Sequence, residues 1–135
     1  MVYKSWDTGL NRDFSFTIRN QEPPFSLICT VWDGTDSLNF LRAENIIHPQ
    51  KWYFVTLVSR KEKTNLYLNA DLVHTATYDN RLVQNDVPII LGYASYKSMY
   101  TRFFNGMIDD LAIIRRPVNE DEIQKIYQND FAILR

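Results

Sequence analysis

Several features that would place this chain of 135 residues in a protein class are scarce or missing. Its single cysteine, Cys29, cannot close an intrachain disulfide, so it gives no indication of the redox compartment. Four glycines and five prolines are too few for a collagen-like or disordered chain. No apolar run approaches the roughly 20 residues of a membrane span, so we predict no membrane insertion. Residues 1–4 do not begin a signal peptide.

An excess of one charge is also missing. Lysine and arginine number 15, aspartate and glutamate number 16, and the two signs are mixed along the chain. Nucleic-acid binders usually carry a basic stripe, so no nucleic-acid partner is expected. The only basic cluster, residues 60–63, contains Glu62 and lies between two strand patterns, which predicts a solvated hairpin loop.

The chain does have many hydrophobic (45%) and aromatic (14%) residues, and it is long enough for one domain with one core. Aromatic side chains pack well on pleated sheets, which favours β-structure. Alternation of apolar and polar residues predicts strands over 14–20, 25–32, 37–42, 52–59, 64–69, 72–78, 87–93 and 103–114. The pattern predicts an all-β fold, as an antiparallel sandwich or barrel. Residues 45–51 are predicted to form a loop.

One convincing helix pattern follows Pro117. Asn119 is a good N-cap, and Glu122 stands at the third helical position, from which it can reach back to the cap amide. Val118 and Ile123 have the spacing of a hydrophobic staple. These signals predict a short helix that docks on the sandwich.

Five motifs occur in order in the second half of the chain. They are Trp52 and Val55; Leu66, Tyr67, Leu68 and Asn69; Leu91 and Gly92; Phe104, Gly106, Ile108, Asp109, Asp110 and Leu111; and Asn119, Glu122 and Ile123. This series resembles the laminin-G-like domain, a concanavalin A-like lectin/glucanase jellyroll. It covers residues 50–127 well and 1–45 loosely. The resemblance implies an antiparallel β-sandwich of jellyroll type with one short C-terminal helix.

The chain departs from the family pattern in two places. Asn69-Ala70 stands where the family has an Asn-Gly turn, although glycine suits positive φ best. The family's first strands have no counterpart in the sequence, so residues 1–135 are expected to be a single domain that lacks them. Either the chain is truncated, or another chain fills the gap, or its own N-terminus pairs differently. If residues 1–18 do not supply the missing pairing, the edge along residues 103–114 is open, and we expect self-association through it.

Asp109 and Asp110 are the first candidates for site chemistry. On the predicted strand they would point to opposite faces, so they could not act together as acid and base. In many relatives the first of these two residues helps to hold a structural Ca²⁺ ion. The resemblance therefore implies Asp109 as a metal ligand and Ca²⁺ as the cofactor. The alternative is a structural or solvated carboxylate.

No catalytic residue is predicted, and the chain is not expected to be an enzyme. Glucanases of the superfamily set two carboxylates about 5–5.5 Å apart in one cleft. The acidic cluster at residues 120–122 instead opens the predicted helix, where it complements the dipole. His48 and His74 have no ligand partner at suitable spacing. Cys29 lies in an apolar run, which indicates a buried structural thiol.

The best binding candidate is the tyrosine-rich segment 93–102, predicted as a loop. Its candidate residues are Tyr93, Tyr96, Lys97, Tyr100 and Arg102, and Trp32 beside Asp33-Gly34 is a weaker candidate. Aromatic faces stack on sugar rings, and loops at one end of a sandwich often carry recognition. The alternative is that these tyrosines cover the sandwich edge with their hydroxyls in water.

Together these patterns predict a non-catalytic recognition module for glycans or protein surfaces. We expect it in a secreted, cell-surface or virion protein. One alternative is a structural or assembly module that docks on a neighbouring domain or chain. A more distant alternative is a domain related to glycoside hydrolases.

Overall fold

The computed structural model describes residues 2–5, 12–19, 21–32, 38–60, 62–77, 88–96 and 100–128. Within these ranges the chain forms ten β-strands and one helix. They are β1 (Val2–Ser5), β2 (Arg12–Arg19), β3 (Phe25–Trp32), β4 (Leu38–Ile47), β5 (Val55–Arg60), β6 (Lys63–Leu68), β7 (Asp71–Thr77), β8 (Ile90–Leu91), β9 (Tyr93–Tyr96), β10 (Tyr100–Phe103) and α1 (Glu120–Tyr127).

All strand pairs are antiparallel. One sheet has the order β4-β3-β2-β1-β8, a second has the order β5-β6-β7, and β9 and β10 form a hairpin. The sequence prediction of an antiparallel β-sandwich with one short C-terminal helix is confirmed. No helix in the described part of the chain is long and apolar enough to cross a bilayer.

The main core lies between the two larger sheets. On the five-stranded sheet, Phe16, Cys29 and Leu41 stand opposite one another in register, so they share one face. Leu66 and Leu68 of β6 belong to the same buried cluster. Cys29 is fully buried, and this burial raises the pKa of its thiol well above the usual value. The prediction of a structural thiol is confirmed.

A second apolar cluster lies on the other face of the three-stranded sheet. Its buried members are Val58, Tyr67, Ala70, Val118 and Ile123. They come from β5, β6, the turn after β6 and the start of α1. The helix therefore covers the outer face of this sheet, because its apolar side needs a surface on which to bury.

Helix α1 begins where the sequence predicts. The Asn119 side chain accepts from the Glu122 N–H, and the Glu122 carboxylate accepts from the Asn119 N–H, each over 2.9 Å. Arg116 makes a two-point contact with the same carboxylate at 2.6 and 3.0 Å. Val118 and Ile123 are both buried in the second cluster, as a hydrophobic staple requires.

The β6–β7 turn is the other local feature that agrees with the sequence. Asn69 has φ +52° and Ala70 has φ +69°, so both central residues are left-handed, as in a type I′ hairpin turn. Asn69 donates its N–H to the Phe54 carbonyl over 2.7 Å. Its side-chain oxygen accepts from the Phe54 N–H over 3.0 Å. The turn therefore also fixes the chain as it enters β5.

The prediction of a long strand over residues 103–114 is wrong. β10 ends at Phe103, and residues 104–114 belong to no strand. A strand needs a neighbour for its backbone groups, and no described strand pairs with this segment. The Asp110 N–H donates to the Asp109 carboxylate over 2.9 Å, and Asp110 has φ +50°. This is turn geometry, so the two aspartates do not alternate across a strand.

Other boundaries also differ from the sequence expectation. The predicted loop 93–102 contains the hairpin β9–β10, because tyrosine and threonine favour strands. Within the described residues, the predicted strand 87–93 shrinks to Ile90–Leu91. β4 continues to Ile47, inside the predicted loop 45–51. The sequence did not predict β1, which lies between β2 and β8.

Candidate functional site

An open groove of about 540 Å³ lies between the outer face of the three-stranded sheet and the start of α1. Strand side chains alternate between faces, so β6 turns residues 63, 65 and 67 outward while Leu66 and Leu68 face the core. The groove is lined by Val58, Arg60, Lys63, Asn65, Tyr67, Val118, Asn119, Glu120 and Asp121. The capped helix start supplies the opposite wall.

A line of hydrogen bonds crosses the floor of this groove. The Thr75 hydroxyl of β7 donates to Asn65 Oδ1 over 3.0 Å. Asn65 Nδ2 donates to the Tyr67 hydroxyl over 3.1 Å, and that hydroxyl lies 3.4 Å from Glu120 Oε1, to which it donates. The ring of Tyr67 is almost fully buried, with 4% exposure. The polar groups on the floor are therefore held in place before any ligand arrives.

The two rims of the groove carry opposite charges. Arg60 and Lys63 pair across the β5–β6 hairpin and bring two cations to one rim. Glu120 and Asp121 bring two carboxylates to the other rim, in the first turn of α1, where the helix dipole favours acids. All four residues are exposed. The groove therefore presents a polar site with a positive and a negative side.

A second open groove, of about 460 Å³, adjoins the first. It shares Tyr67, Glu120 and Asp121 with the first groove and adds Ala70, Asp71, Leu72 and Gln124. Gln124 Nε2 donates to the Ala70 carbonyl over 3.3 Å, which ties the helix to the β6–β7 turn. Leu72 is 49% exposed and offers an apolar contact at this end. The two grooves together follow β6 along its length.

The comparisons with known proteins agree with this fold. The family model of the concanavalin A-like lectin/glucanases superfamily, in its laminin-G-like form, matches residues 2–124. The chain belongs to this superfamily. A search of curated protein sequences found no significant match.

A solved structure shares the fold of this superfamily member. It is an S-layer domain-containing protein (residues 221–444) from Clostridium thermocellum, with a TM-score of 0.51 and 17% sequence identity. The match covers 93% of the present chain and 61% of that structure. At this identity the likeness concerns the fold alone.

The tyrosine segment proposed from the sequence is a hairpin. Tyr93 pairs with Phe103, and their ring centroids lie 5.6 Å apart. The register puts position 93 on one face of the hairpin and positions 96, 100 and 102 on the other. The structure thus separates Tyr93 from three of its predicted partners.

Several predicted binding residues remain predictions. Lys97 lies outside the described residues, as do Asp33 and Gly34. Trp32 is the last residue of β3, where its backbone pairs with Leu38. The described part of the chain does not include the side chains of Trp32, Tyr96, Tyr100 and Arg102.

Asp109, the predicted calcium ligand, is exposed, and one of its carboxylate oxygens accepts from the Asp110 N–H. Ca²⁺ takes six to eight oxygen ligands. Among the described residues no group of three or more His, Cys, Asp or Glu side chains could hold a metal ion. The described residues therefore do not by themselves bring together a carboxylate-rich calcium site around Asp109.

The acidic cluster at the helix start has structural partners. Glu122 caps the helix and contacts Arg116. Hydrogen bonds from the Arg116 guanidinium and from the Asn119 N–H lower the pKa of the Glu122 carboxyl to about 2. Glu120 accepts from Tyr67. A glycosidase acid needs a raised pKa, so Glu122 is unsuited to that role.

The sequence does not predict the groove, although two of its components follow from sequence patterns. The outward residues of β6 alternate with core leucines, and the capping box marks the helix start. What the sequence could not give was the packing of α1 on this particular sheet face. That packing depends on Val58, Tyr67 and Ala70, which come together only in the folded chain.

Proposed function

We propose that this superfamily member is a non-catalytic recognition module for glycans or protein surfaces. The observation that carries the proposal is the preformed line of hydrogen bonds from Thr75 to Glu120 on the floor of an open, charged groove. The involvement of Glu120 and Glu122 in structural hydrogen bonds supports binding without catalysis.

A hydroxyl deletion tests the groove. Tyr67→Phe removes the hydroxyl that joins Asn65 to Glu120 and keeps the buried ring. Binding should be measured on immobilised panels of glycans and of proteins, with Tyr53→Phe as the matched control. The Tyr53 hydroxyl bridges the His48 N–H and the Ile46 carbonyl outside the groove. We expect Tyr67→Phe to weaken the strongest interaction about threefold to tenfold, and Tyr53→Phe to leave it unchanged.

An exported location fits this function. The solved structure with the same fold is named for an S-layer domain, and this name supports a cell-surface or secreted location for the present chain. Antibody labelling of intact, unpermeabilised cells or particles tests the location. Labelling only after permeabilisation would count against it.

A structural Ca²⁺ at Asp109 remains part of the proposal. If Asp109 contributes to such a site, Ca²⁺ should raise the melting temperature of the wild-type protein, and Asp109→Asn should lose the increase. Mg²⁺ at the same concentration is the control, because it demands stricter geometry.

A second function, assembly with another chain, is favoured by the apolar segment 103–113. Its exposed side chains are Phe103 (77%), Met107 (74%), Ile108 (38%), Leu111 (49%) and Ile113 (61%). The backbone of residues 104–114 pairs with no described strand, so an added strand could bind there. The expectation from the sequence that the chain self-associates along this segment stays a prediction.

Light scattering after size exclusion tests assembly. The wild-type chain should elute as a dimer or larger species, and Leu111→Ser/Ile113→Ser should shift it toward the monomer. Leu72→Ser, at an exposed leucine outside this segment, is the control. A wild-type monomer at all concentrations would remove the assembly function.

A further inference from the structure

The groove differs from a sugar site in one respect. Sugar sites often stack an aromatic face on the pyranose ring. Among the described residues, Tyr67 is the only aromatic residue that lines either groove, and it is 4% exposed. Only the hydroxyl edge of Tyr67 therefore faces a ligand. The chemistry of the walls favours charges and amides over sugar rings.

The charges follow an order along β6. At the β5–β6 hairpin end, Arg60 and Lys63 are basic. In the middle, Glu120 and Asp121 border both grooves. At the β6–β7 turn, the half-exposed Leu72 adds apolar surface, with Asp71 beside it. From one end to the other, the surface is positive, then negative, then partly apolar.

The length of this surface fits an extended chain. From Lys63 to Leu68, β6 has six residues, and at about 3.3 Å per residue the strand spans about 17 Å. An extended peptide of five or six residues has the same length. Both grooves are open to solvent along their length, so the ends of such a peptide can continue into a larger protein.

We propose that these grooves bind an extended peptide segment of a partner protein in which an acidic, a basic and an apolar side chain follow one another. The acidic side chain pairs with Lys63 and Arg60, the basic side chain pairs with Glu120 and Asp121, and the apolar side chain contacts Leu72. Asn65 is placed to hydrogen-bond the peptide backbone. This inference rests on the recognition function proposed above and names its partner class.

Four peptides with blocked termini provide the probe, because the groove fixes the order of charges but not the direction of the chain. Glu-Ser-Lys-Ser-Leu and Leu-Ser-Lys-Ser-Glu have the complementary order. Lys-Ser-Glu-Ser-Leu and Leu-Ser-Glu-Ser-Lys have the two charges exchanged. Fluorescence anisotropy at low salt should give at least one complementary peptide a Kd about fivefold or more below its exchanged isomer. The difference should shrink at high salt, because screening weakens exposed ion pairs.

A charge swap within the protein provides the decisive comparison. Lys63→Glu/Asp121→Lys leaves one charge of each sign on each rim, so it cancels the net charge of both rims and should abolish the preference between isomers. Lys51→Glu/Glu44→Lys makes the same change in charge at exposed residues that do not line either groove, and it should keep the wild-type preference. If the double variant folds poorly, Asp121→Asn, a milder change at the helix start, takes its place. It should weaken the binding of the complementary peptide about threefold. Thermal melts establish that each variant is folded.

Several outcomes would overturn the inference. The first is equal affinity of the protein for a complementary peptide and its exchanged isomer. The second is a preference that persists in Lys63→Glu/Asp121→Lys. The third is an equal effect of this variant and of Lys51→Glu/Glu44→Lys on the preference. A glycan that binds through Lys63 and Asp121 would also overturn it, while the recognition function would stand. If the protein binds neither glycans nor proteins nor any of the peptides, the recognition function itself fails.

Discussion

Two adjacent segments of the C-terminal third contain similar residues but differ in burial. Residues 105–113 are all exposed, and Ile113 is 61% exposed. Only a few positions later, Val118 and Ile123 are buried, Ile123 completely. The exposed segment lies between two partly buried residues, Phe104 and Ile114. The two segments thus show that an apolar pattern alone does not decide burial.

The difference lies in how each segment satisfies its backbone. A helix pairs its own N–H and C=O groups, and α1 caps its first turn with Asn119 and Glu122. A strand depends on a neighbour that is distant in sequence. Residues 104–114 pair with no strand in the described ranges. Two of their N–H groups have partners there: Phe104 donates to the Gly92 carbonyl over 2.8 Å, and Asp110 donates to the Asp109 carboxylate. Helix α1 pairs its backbone groups within itself, so it can pack on the sheet. Residues 104–114 lack such internal pairing, and residues 105–113 stay exposed.

Replacing one isoleucine in each segment gives the largest expected effect. Ile123→Ala should lower the free energy of unfolding by about 3 kcal/mol, because it empties a fully buried site between the helix and the sheet. Ile113→Ala should cost less than about 0.5 kcal/mol, because this side chain is mostly in water. Urea unfolding followed by circular dichroism measures both. Similar losses for the two variants would mean that residues 104–114 are packed after all.

The helix cap gives the next largest effect. Asn119→Ala should cost about 1 kcal/mol, because the Glu122 N–H loses its acceptor at the helix start. Asp109→Ala removes a comparable local hydrogen bond, to the Asp110 N–H, in an exposed segment without a helix. It should cost less than about 0.5 kcal/mol. A cost under about 0.2 kcal/mol for Asn119→Ala would contradict the cap itself.

The same contrast explains how much the sequence could predict. The capping box, the hydrophobic staple and the β5–β6 hairpin depend on residues close in sequence, and all three were predicted. Asn69-Ala70 was recognised as the counterpart of the family's Asn-Gly turn, and both of its residues are left-handed. A strand at 103–114, in contrast, would need backbone hydrogen bonds to another strand that is distant in sequence. Apolar alternation alone predicted this strand, and it does not show whether a neighbouring strand is present.

The candidate site was harder to predict than the fold. Glu120 and Asp121 were recognised as helix-start acids, but not as one rim of a groove. Lys63 was assigned to a solvated loop, although it is the first residue of β6. Sequence periodicity shows which residues share a face of one element. It does not show which elements meet, so the groove between β6 and α1 could not be predicted.

Acid should weaken the packed segment more than the exposed one. Hydrogen bonds from Arg116 and from the Asn119 N–H hold the pKa of Glu122 near 2, below its usual value of 4.5. A carboxyl whose pKa is lower in the folded state stabilises the fold when ionised. Its contribution is complete above about pH 4.5 and disappears as the pH falls toward 2.

Melting temperatures between pH 5 and pH 2 check this expectation. Glu122→Gln should be less stable than the wild type at pH 5, and the difference should narrow toward pH 2. Asp109→Asn, in the exposed segment, should follow the pH dependence of the wild type. A difference between Glu122→Gln and the wild type that stays constant with pH would contradict the role assigned to the carboxylate.

The smallest expected changes in stability come from substituting glycine at two left-handed residues. Ala70 lies in the turn under α1, and Asp110 lies in the exposed segment. Ala70 has φ +69° and is 7% exposed, whereas Asp110 has φ +50° and is exposed. Glycine relieves left-handed strain at both positions, worth about 0.4–1 kcal/mol after the entropy of the unfolded chain is counted. At Ala70 the lost methyl group removes about 0.8 kcal/mol of burial, so Ala70→Gly should change stability by less than about 0.3 kcal/mol. Asp110→Gly loses no buried methyl group and should stabilise the protein by about 0.5 kcal/mol.

Denaturant unfolding of both variants in parallel resolves the difference. A clear gain for Ala70→Gly would show that the turn methyl contributes little to the packing under α1, and a loss for Asp110→Gly would show that the Asp110 side chain makes a stabilising contact.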